Sequence, residues 1–402
     1  MSATLPAKFL HGRGKQCGAA LLIMLVILII AIAAILINSL TLSSIKNARQ
    51  ATTAAALAQA KEALLGRAVS DDTIPGSLPC PDTNDDGSAE SLSGNDCPSY
   101  IGRLPWRTLR LPELRDGSGE HLWYALSPAF RDDPSAEPLN SNTKGTLVVY
   151  GPDGTTLLTQ TGYSAVAVIF SPGGPVASQS RNTIAEKNDP ANYLDIAYSR
   201  NNATSVGPFI AGMETSTFND QLLLITTHDL IPLLEKRVAG VVKKALEDYY
   251  LASDSFPSNR YYPWADVITS AASYSANAGT NRGWLPDDAS TCCSPSTINW
   301  VAGSPPQWFF DNQWYTLIYY SAAPSLTRSH SGLMLNVSGK SGRALFFMPG
   351  TYSGTRAIDI LSEYLEDSQN NDNGNDTYIT PTSNAPDRDR LYWLSSASIW
   401  NQ

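Results

Sequence analysis

From position 19 to position 37 the chain runs for 19 residues without a charged or strongly polar side chain. As a helix this run is about 29 Å long at ~1.5 Å per residue, which matches a hydrocarbon core of about 30 Å, so one membrane span is expected. Lys8, Arg13 and Lys15 precede it and no acid occurs in residues 1–18. The positive-inside bias then puts the N-terminus in the cytoplasm and everything after the span outside. Beyond the span, Leu40, Ile45, Ala48, Thr52, Ala55, Ala56, Ala63 and Leu64 recur chiefly at spacings of three, four or seven, and neither Pro nor Gly occurs in residues 19–65. The spacing predicts that the helix continues as a stalk to about Ala68.

After the stalk the periodicity changes. Residues 146–150 and 165–170 are short β-branched runs bounded by Gly and Pro and read as strands, as do residues 221–225, 314–320 and 344–347. Thr227 is placed to cap a helix through Tyr250, whose Leu230, Leu233, Leu234, Val238, Val241, Val242, Ala245, Leu246 and Tyr249 form a wide apolar stripe for packing on a sheet. The sequence also repeats: a shift of 182 positions lays Lys61-Glu62-Ala63-Leu64 on Lys243-Lys244-Ala245-Leu246, and Pro75 and Pro81 on Pro257 and Pro263. In the same order, Gly102 and Leu104-Pro105 answer Gly283 and Leu285-Pro286, and Trp123-Tyr124-Ala125-Leu126 answers Trp314-Tyr315-Thr316-Leu317. Phe170-Ser171-Pro172-Gly173 answers Phe347-Met348-Pro349-Gly350. The pattern is that of a tandem duplication, each copy being a helix, a Pro-rich loop and strands ending in a Pro-Gly turn.

Composition and chemistry narrow the function. With 43% hydrophobic and 16% charged residues, 28 Gly and 26 Pro, the chain is folded and turn-rich rather than disordered. Lys+Arg at 28 against Asp+Glu at 37 gives a net charge of -9, so no large basic face exists to drive counterion release and nucleic acid is not an expected partner. The four His, at 11, 121, 228 and 330, show no His-x-x-x-His spacing, and no Gly-x-Ser-x-Gly elbow occurs. Ser338-Gly339-Lys340-Ser341 lacks the Gly that a phosphate loop needs five residues earlier, where Met334 stands, and reads as a turn. No catalytic site assembles, so a non-enzymatic role is expected.

Cys80 and Cys97 flank a polar loop, and a disulfide closing those 18 residues would stabilise the fold by about 3 kcal/mol in the chain-entropy picture. Cys292 and Cys293 are adjacent, leaving a vicinal bridge, free thiols or separate partners open. Within the first loop, Asp82, Asn84 and Asp86 alternate ahead of Gly87, with Glu90 nearby. Such alternating oxygens suit a hard cation, so calcium is the candidate cofactor and a solvated turn the alternative.

The basic leader ends in Gly14-Lys15-Gln16-Cys17-Gly18 and abuts Ala19-Ala20-Leu21-Leu22-Ile23. This junction resembles the prepilin peptidase site of type IV pilins and type II secretion pseudopilins, in which the peptidase cuts after the Gly and the new N-terminus is methylated. By that resemblance the scissile bond is Gly18-Ala19. Most family members carry Glu at the fifth mature position; here it is Ile23, a substitution characteristic of the minor subunit at a pseudopilus tip. Residues 78–82 (Leu-Pro-Cys-Pro-Asp) and 101–106 (Ile-Gly-Arg-Leu-Pro-Trp) resemble segments of pseudopilin-like heads.

The resemblance implies a cytoplasmic leader, 1–18; a transmembrane and stalk helix, 19–68; and two tandem pilin-like heads, each a helix plus antiparallel sheet, at 69–224 and 225–402. The fold class is α+β. The expected function is a minor pseudopilin or pilin-like subunit of the inner membrane, its heads periplasmic or extracellular, with prepilin peptidase and other pilin or pseudopilin subunits as partners. The other reading of the same residues is an exported binding protein on an ordinary signal anchor.

Overall fold

The computed structural model describes residues 17–133, 137–160, 163–176, 179–253, 260–266, 281–286, 300–326, 334–370, 376–382 and 385–402; within the first helix the side chains of 17–23, 31 and 33–42 lie outside the description. That helix, α1 (Cys17–Ser70), runs 54 residues through an Ala-rich sequence of high helix propensity. It ends where the Gly76 amide bonds the Ala68 carbonyl and Arg67, a cation in the last turn, pairs with Asp71 and, at 3.1 Å, with Asp132. The chain divides into two compact units, Met1–Thr52 and Thr53–Gln402.

In the second unit the strands come in two sets. The first holds β1 (Ile101–Arg103), β2 (Trp123–Leu126), β3 (Val149–Tyr150) and β4 (Ala165–Ser171). After the short helix α2 (Ile184–Asn188) come β5 (Ile196–Ala197), β6 (Arg200–Asn201), β7 (Phe209–Ile210) and β8 (Gln221–Thr226). Helix α3 (Thr227–Ala252) follows without a break, its Thr226 cap and Asp229 bonded reciprocally as a capping box. The second set holds β9 (Arg282–Trp284), the short helix α4 (Gln307–Asp311), β10 (Tyr319–Ala322), β11 (Leu335–Val337), β12 (Lys340–Met348), β13 (Thr377–Tyr378), β14 (Arg390–Ser395) and β15 (Trp400–Asn401).

One strand order recurs. β1-β2-β4-β8 form an antiparallel sheet, and β9-β10-β12-β14 pair in the same order and sense, with β11, β13 and β15 added. Both sheets carry a register shift at the same end, at Ala165/Ala167 and at Gly342/Ala344. The glycines of β1 and β9 share a cause. A Cβ on Gly102 would lie 2.5 Å from the Asp82 carbonyl oxygen, and one on Gly283, whose φ is +152°, would strike the Asp266 carbonyl oxygen. Gly283→Ala is therefore expected to lower stability by roughly 3 kcal/mol, the sum of backbone strain and overpacking; an unfolding free energy from urea titration within about 1 kcal/mol of wild type would contradict this.

The core is shared between the two sets. One cluster joins Leu57, Ala60, Leu64 and Ala68 of α1, Tyr124 and Leu126 of β2, and Leu230, Leu234, Val238, Val242 and Leu246 of α3 to Tyr320, Phe346 and Tyr392 of the second sheet. Leu233, expected on that buried stripe, is half out in solvent. Lys61 of α1 reaches the Leu224 carbonyl at 2.9 Å and Asp229 at 2.8 Å. Residues 139–144 lock the first set to the second: Leu139 donates to Asn312 Oδ1, Asn142 accepts from Arg356, and Lys144 bonds the Ser353 carbonyl at 2.7 Å. At the centre, Glu235 of α3 is fully buried. It accepts from Ser141 Oγ at 2.5 Å and from the Gly350 amide at 2.9 Å, and it pairs with Arg390 at 2.5 Å.

Several expectations are corrected here. Among the described residues no helix is long and apolar enough to cross a membrane. The transmembrane span, and with it the single-pass inner-membrane placement with a cytoplasmic N-terminus and periplasmic or extracellular heads, does not stand. The fold is α+β, but not a transmembrane stalk with two tandem pilin-like antiparallel heads. Residues 53–402 make one unit around a common core, and its sheets include the parallel pairs β3–β7 and β11–β13. The strand expected at 314–320 is also displaced: Trp314–Leu317 is a 3-10 turn and only Tyr319 and Tyr320 enter β10. Ser338 and Gly339 form the two-residue turn between β11 and β12, both with positive φ, as such hairpins require.

Candidate functional site

The disulfide loop of the first set is built from short-range bonds. Cys80 and Cys97 are joined, their Cα atoms 5.5 Å apart. Asp82 is buried, and its carboxylate accepts from the amides of Asn84 (3.0 Å), Asp85 (2.8 Å) and Gly87 (2.7 Å). Asn84 accepts from the Asp86 amide, Asp86 from the Ser88 amide, and Glu90 from Thr83 Oγ1 at 2.6 Å. Burial pushes the Asp82 carboxyl up in spite of those three amides, while the Ser88 amide holds exposed Asp86 down.

Asp82, Asn84, Asp86 and Glu90, the residues expected to hold calcium, each accept a hydrogen bond within the loop. Their oxygens brace the loop as successive Asx turns, and among the described residues no group of three or more His, Cys, Asp or Glu is placed to hold a metal ion. Replacing both Cys80 and Cys97 by Ala should lower the unfolding free energy by about 3 kcal/mol. Calorimetry on the double variant checks this, and a loss under 1 kcal/mol would set the loop-closure argument aside.

Beside the loop lies a charged cluster that position in the sequence does not announce. His121 meets Asp85 through Nδ1 at 2.7 Å and Glu113 through Nε2 at 2.5 Å. The bond from His121, and then that from Arg115, holds the Glu113 carboxyl down. Arg103 is buried, pairs with Asp85 at 3.1 Å and stacks over Trp123 and Tyr193. Both ring nitrogens of His121 are occupied by carboxylates, so it activates no hydroxyl or thiol; the cluster holds three loops together. His228 packs on the Tyr163 ring at 4.3 Å.

The processing residues Gly18 and Ala19 and the substituted position Ile23 fall within α1, with side chains outside the description. Leader residues 1–16, and Cys292 and Cys293, lie outside the described residues altogether. Farther along α1, Met24, Leu25, Val26, Ile27, Leu28, Ile29, Ile30 and Ile32 are each 44–76% exposed. Seven successive residues at about 100° apart cover the full circumference of a helix, so this stretch is apolar on every face.

No protein-family profile matches the chain, and neither the curated proteins nor the solved structures contain a match.

Proposed function

We propose that the protein is a non-enzymatic pilin-like subunit, cut by prepilin peptidase between Gly18 and Ala19 and assembled through α1 into, or at the tip of, a type IV pilus or type II secretion pseudopilus. The observation that carries the reading is the apolar stretch of α1 at 24–30, exposed on all sides. A helix that is hydrophobic all round belongs in a packed core, and here the rest of that core is supplied by the helices of other subunits. The head contributes rigidity: a disulfide loop, a carboxylate-clamped His121 and a core shared by both sheets leave a surface for contact. Ile23 in place of the family's Glu favours a position with no subunit above it.

The N-terminus and intact mass of the protein from its native cells, with and without the peptidase, test the proposal. A chain beginning at Ala19 only when the peptidase is present supports it; an unprocessed Met1 or Ser2 terminus refutes it. Ile27→Lys should, in addition, abolish co-purification with other pilin subunits while leaving thermal unfolding of the head unchanged.

A further inference from the structure

Helices α1 and α3 lie side by side and run in the same direction. Lys61 meets Asp229 at 2.8 Å near one end, and Arg237 bonds the Val69 and Asp71 carbonyls near the other; the Lys61–Asp229 and Arg237–Val69 bonds each link residues 168 positions apart. Between the helices a groove of about 470 Å³ stays open, lined by Glu62, Leu65, Gly66 and Val69 of α1 and by Leu233 and Lys236 of α3. Its apolar part is Leu65, Val69 and Leu233, the last 44% exposed.

Gly66 opens the groove further. It stands inside α1, where Gly is a poor helix former, and a Cβ placed on it would meet nothing within 4 Å beyond its own helical turn. No packing inside this chain accounts for the missing side chain, and the space it leaves admits a close approach from outside.

Charge decides what fits. Glu62 and Lys236 are both exposed at the edges of the groove, and neither has an ion pair or hydrogen bond among the described residues, although their neighbours Lys61 and Arg237 pair with Asp229 and Asp72. By the 168-position offset, Lys236 is level with position 68 of α1, about six residues and ~9 Å beyond Glu62. An anion, an apolar floor and a cation therefore follow one another along the groove. Apolar anchors at i, i+3, i+4 and i+7 of a helix fill such a floor. A helix entering antiparallel to α1 and α3 brings its early turns to Lys236 and its later turns to Glu62, and acid ahead of base is the order that its own dipole favours. We propose that this groove receives an amphipathic helix of another protein, antiparallel to α1 and α3, with an acid against Lys236 and a base, about seven residues later, against Glu62. The groove lies within residues 53–402, so docking does not depend on cleavage at Gly18.

The test is fluorescence anisotropy of a labelled, side-chain-stapled peptide of about 16 residues, long enough to hold a helix once cross-linked, titrated with the full chain. Its Leu residues follow the i, i+3, i+4, i+7 spacing, with Glu in the first half and Lys seven residues later; a control peptide exchanges the Glu and the Lys. The expected result is saturable binding with a Kd on the order of 10 μM, at least fivefold weaker for the exchanged peptide. Gly66→Leu fills the groove and should weaken binding at least tenfold, with thermal unfolding unchanged or raised because Leu is the better helix former. The double variant Glu62→Lys with Lys236→Glu should reverse the preference and bind the exchanged peptide more tightly. No saturable binding, equal binding of the two peptides, or unchanged affinity in Gly66→Leu overturns the proposal. Self-association of the full chain that Gly66→Leu abolishes, seen by sedimentation, also overturns it by seating a second copy in the groove.

Discussion

Glu235→Ala is expected to lower the unfolding free energy by about 3–5 kcal/mol, the cost of breaking a buried ion pair from one side. Glu235 is fully buried and satisfies three donors: Ser141 Oγ from the first set, and the Gly350 amide and Arg390 from the second. Removing the carboxylate strands the nearly buried Arg390 guanidinium and two neutral donors at once. Burial raises the Glu235 carboxyl, with Arg390 working the other way, so its charge exists in the fold only because the partner is there. Urea titration of Glu235→Ala, Arg390→Ala and the double variant measures this directly. The double variant should be less destabilised than the sum of the singles. A cost below 1 kcal/mol for Glu235→Ala would show that α3 does not bind the two sets through this residue.

Asp389→Asn should act in the opposite direction and stabilise the protein at pH 8. The folded Asp389 carboxyl sits at about 8, against about 3.9 for an unfolded aspartate. Between those values the native state holds a proton that the unfolded state has released, so this group's contribution falls as pH rises from about 4 to about 8 and is flat above. The slope is about 1.4 kcal/mol per pH unit, of the order of 5 kcal/mol across the window. Asparagine presents an N–H donor to Glu366 as the protonated acid does, and it never ionises. The difference in unfolding free energy between Asp389→Asn and wild type should therefore widen in favour of the variant from pH 5 to pH 8. A constant difference over that range would contradict the assignment.

The repeat was legible in the sequence through residues whose backbone environment leaves little choice. Gly102 and Gly283 both face an aspartate carbonyl that excludes a Cβ, so both copies keep the glycine and the alignment finds it. Trp314-Tyr315-Thr316-Leu317 misled because likeness to Trp123-Tyr124-Ala125-Leu126 does not fix conformation: the second copy turns first and starts its strand at Tyr319. The α3 stripe was readable from its period, apart from Leu233, which faces a groove with Leu65 and Val69 of α1. Glu235 stood in that stripe as an acid between apolar neighbours, a signal that a buried partner was needed. That partner, Arg390, lies 155 residues away, and no local pattern names it. The acidic loop at 82–90 carries a pattern with two meanings. Alternating oxygens are the pattern of a cation loop and of Asx turns alike, and the amides of Asn84, Asp85 and Gly87 that gather on Asp82 were not legible in that pattern.

The lock between the two sets also imposes a schedule on synthesis. Strand β8 and α3 are consecutive in the chain, so the first sheet receives its covering helix as soon as it emerges. The segment at 139–144 has no such neighbour: its partners lie 173 residues downstream at Asn312 and 209 downstream at Ser353. At roughly 5–20 residues per second, Leu139 and Asn140 wait about 10–40 s on every ribosome for their partner Asn312. During that interval the growing chain carries this loop without its partners from the second set, and it depends on whatever shields nascent chains.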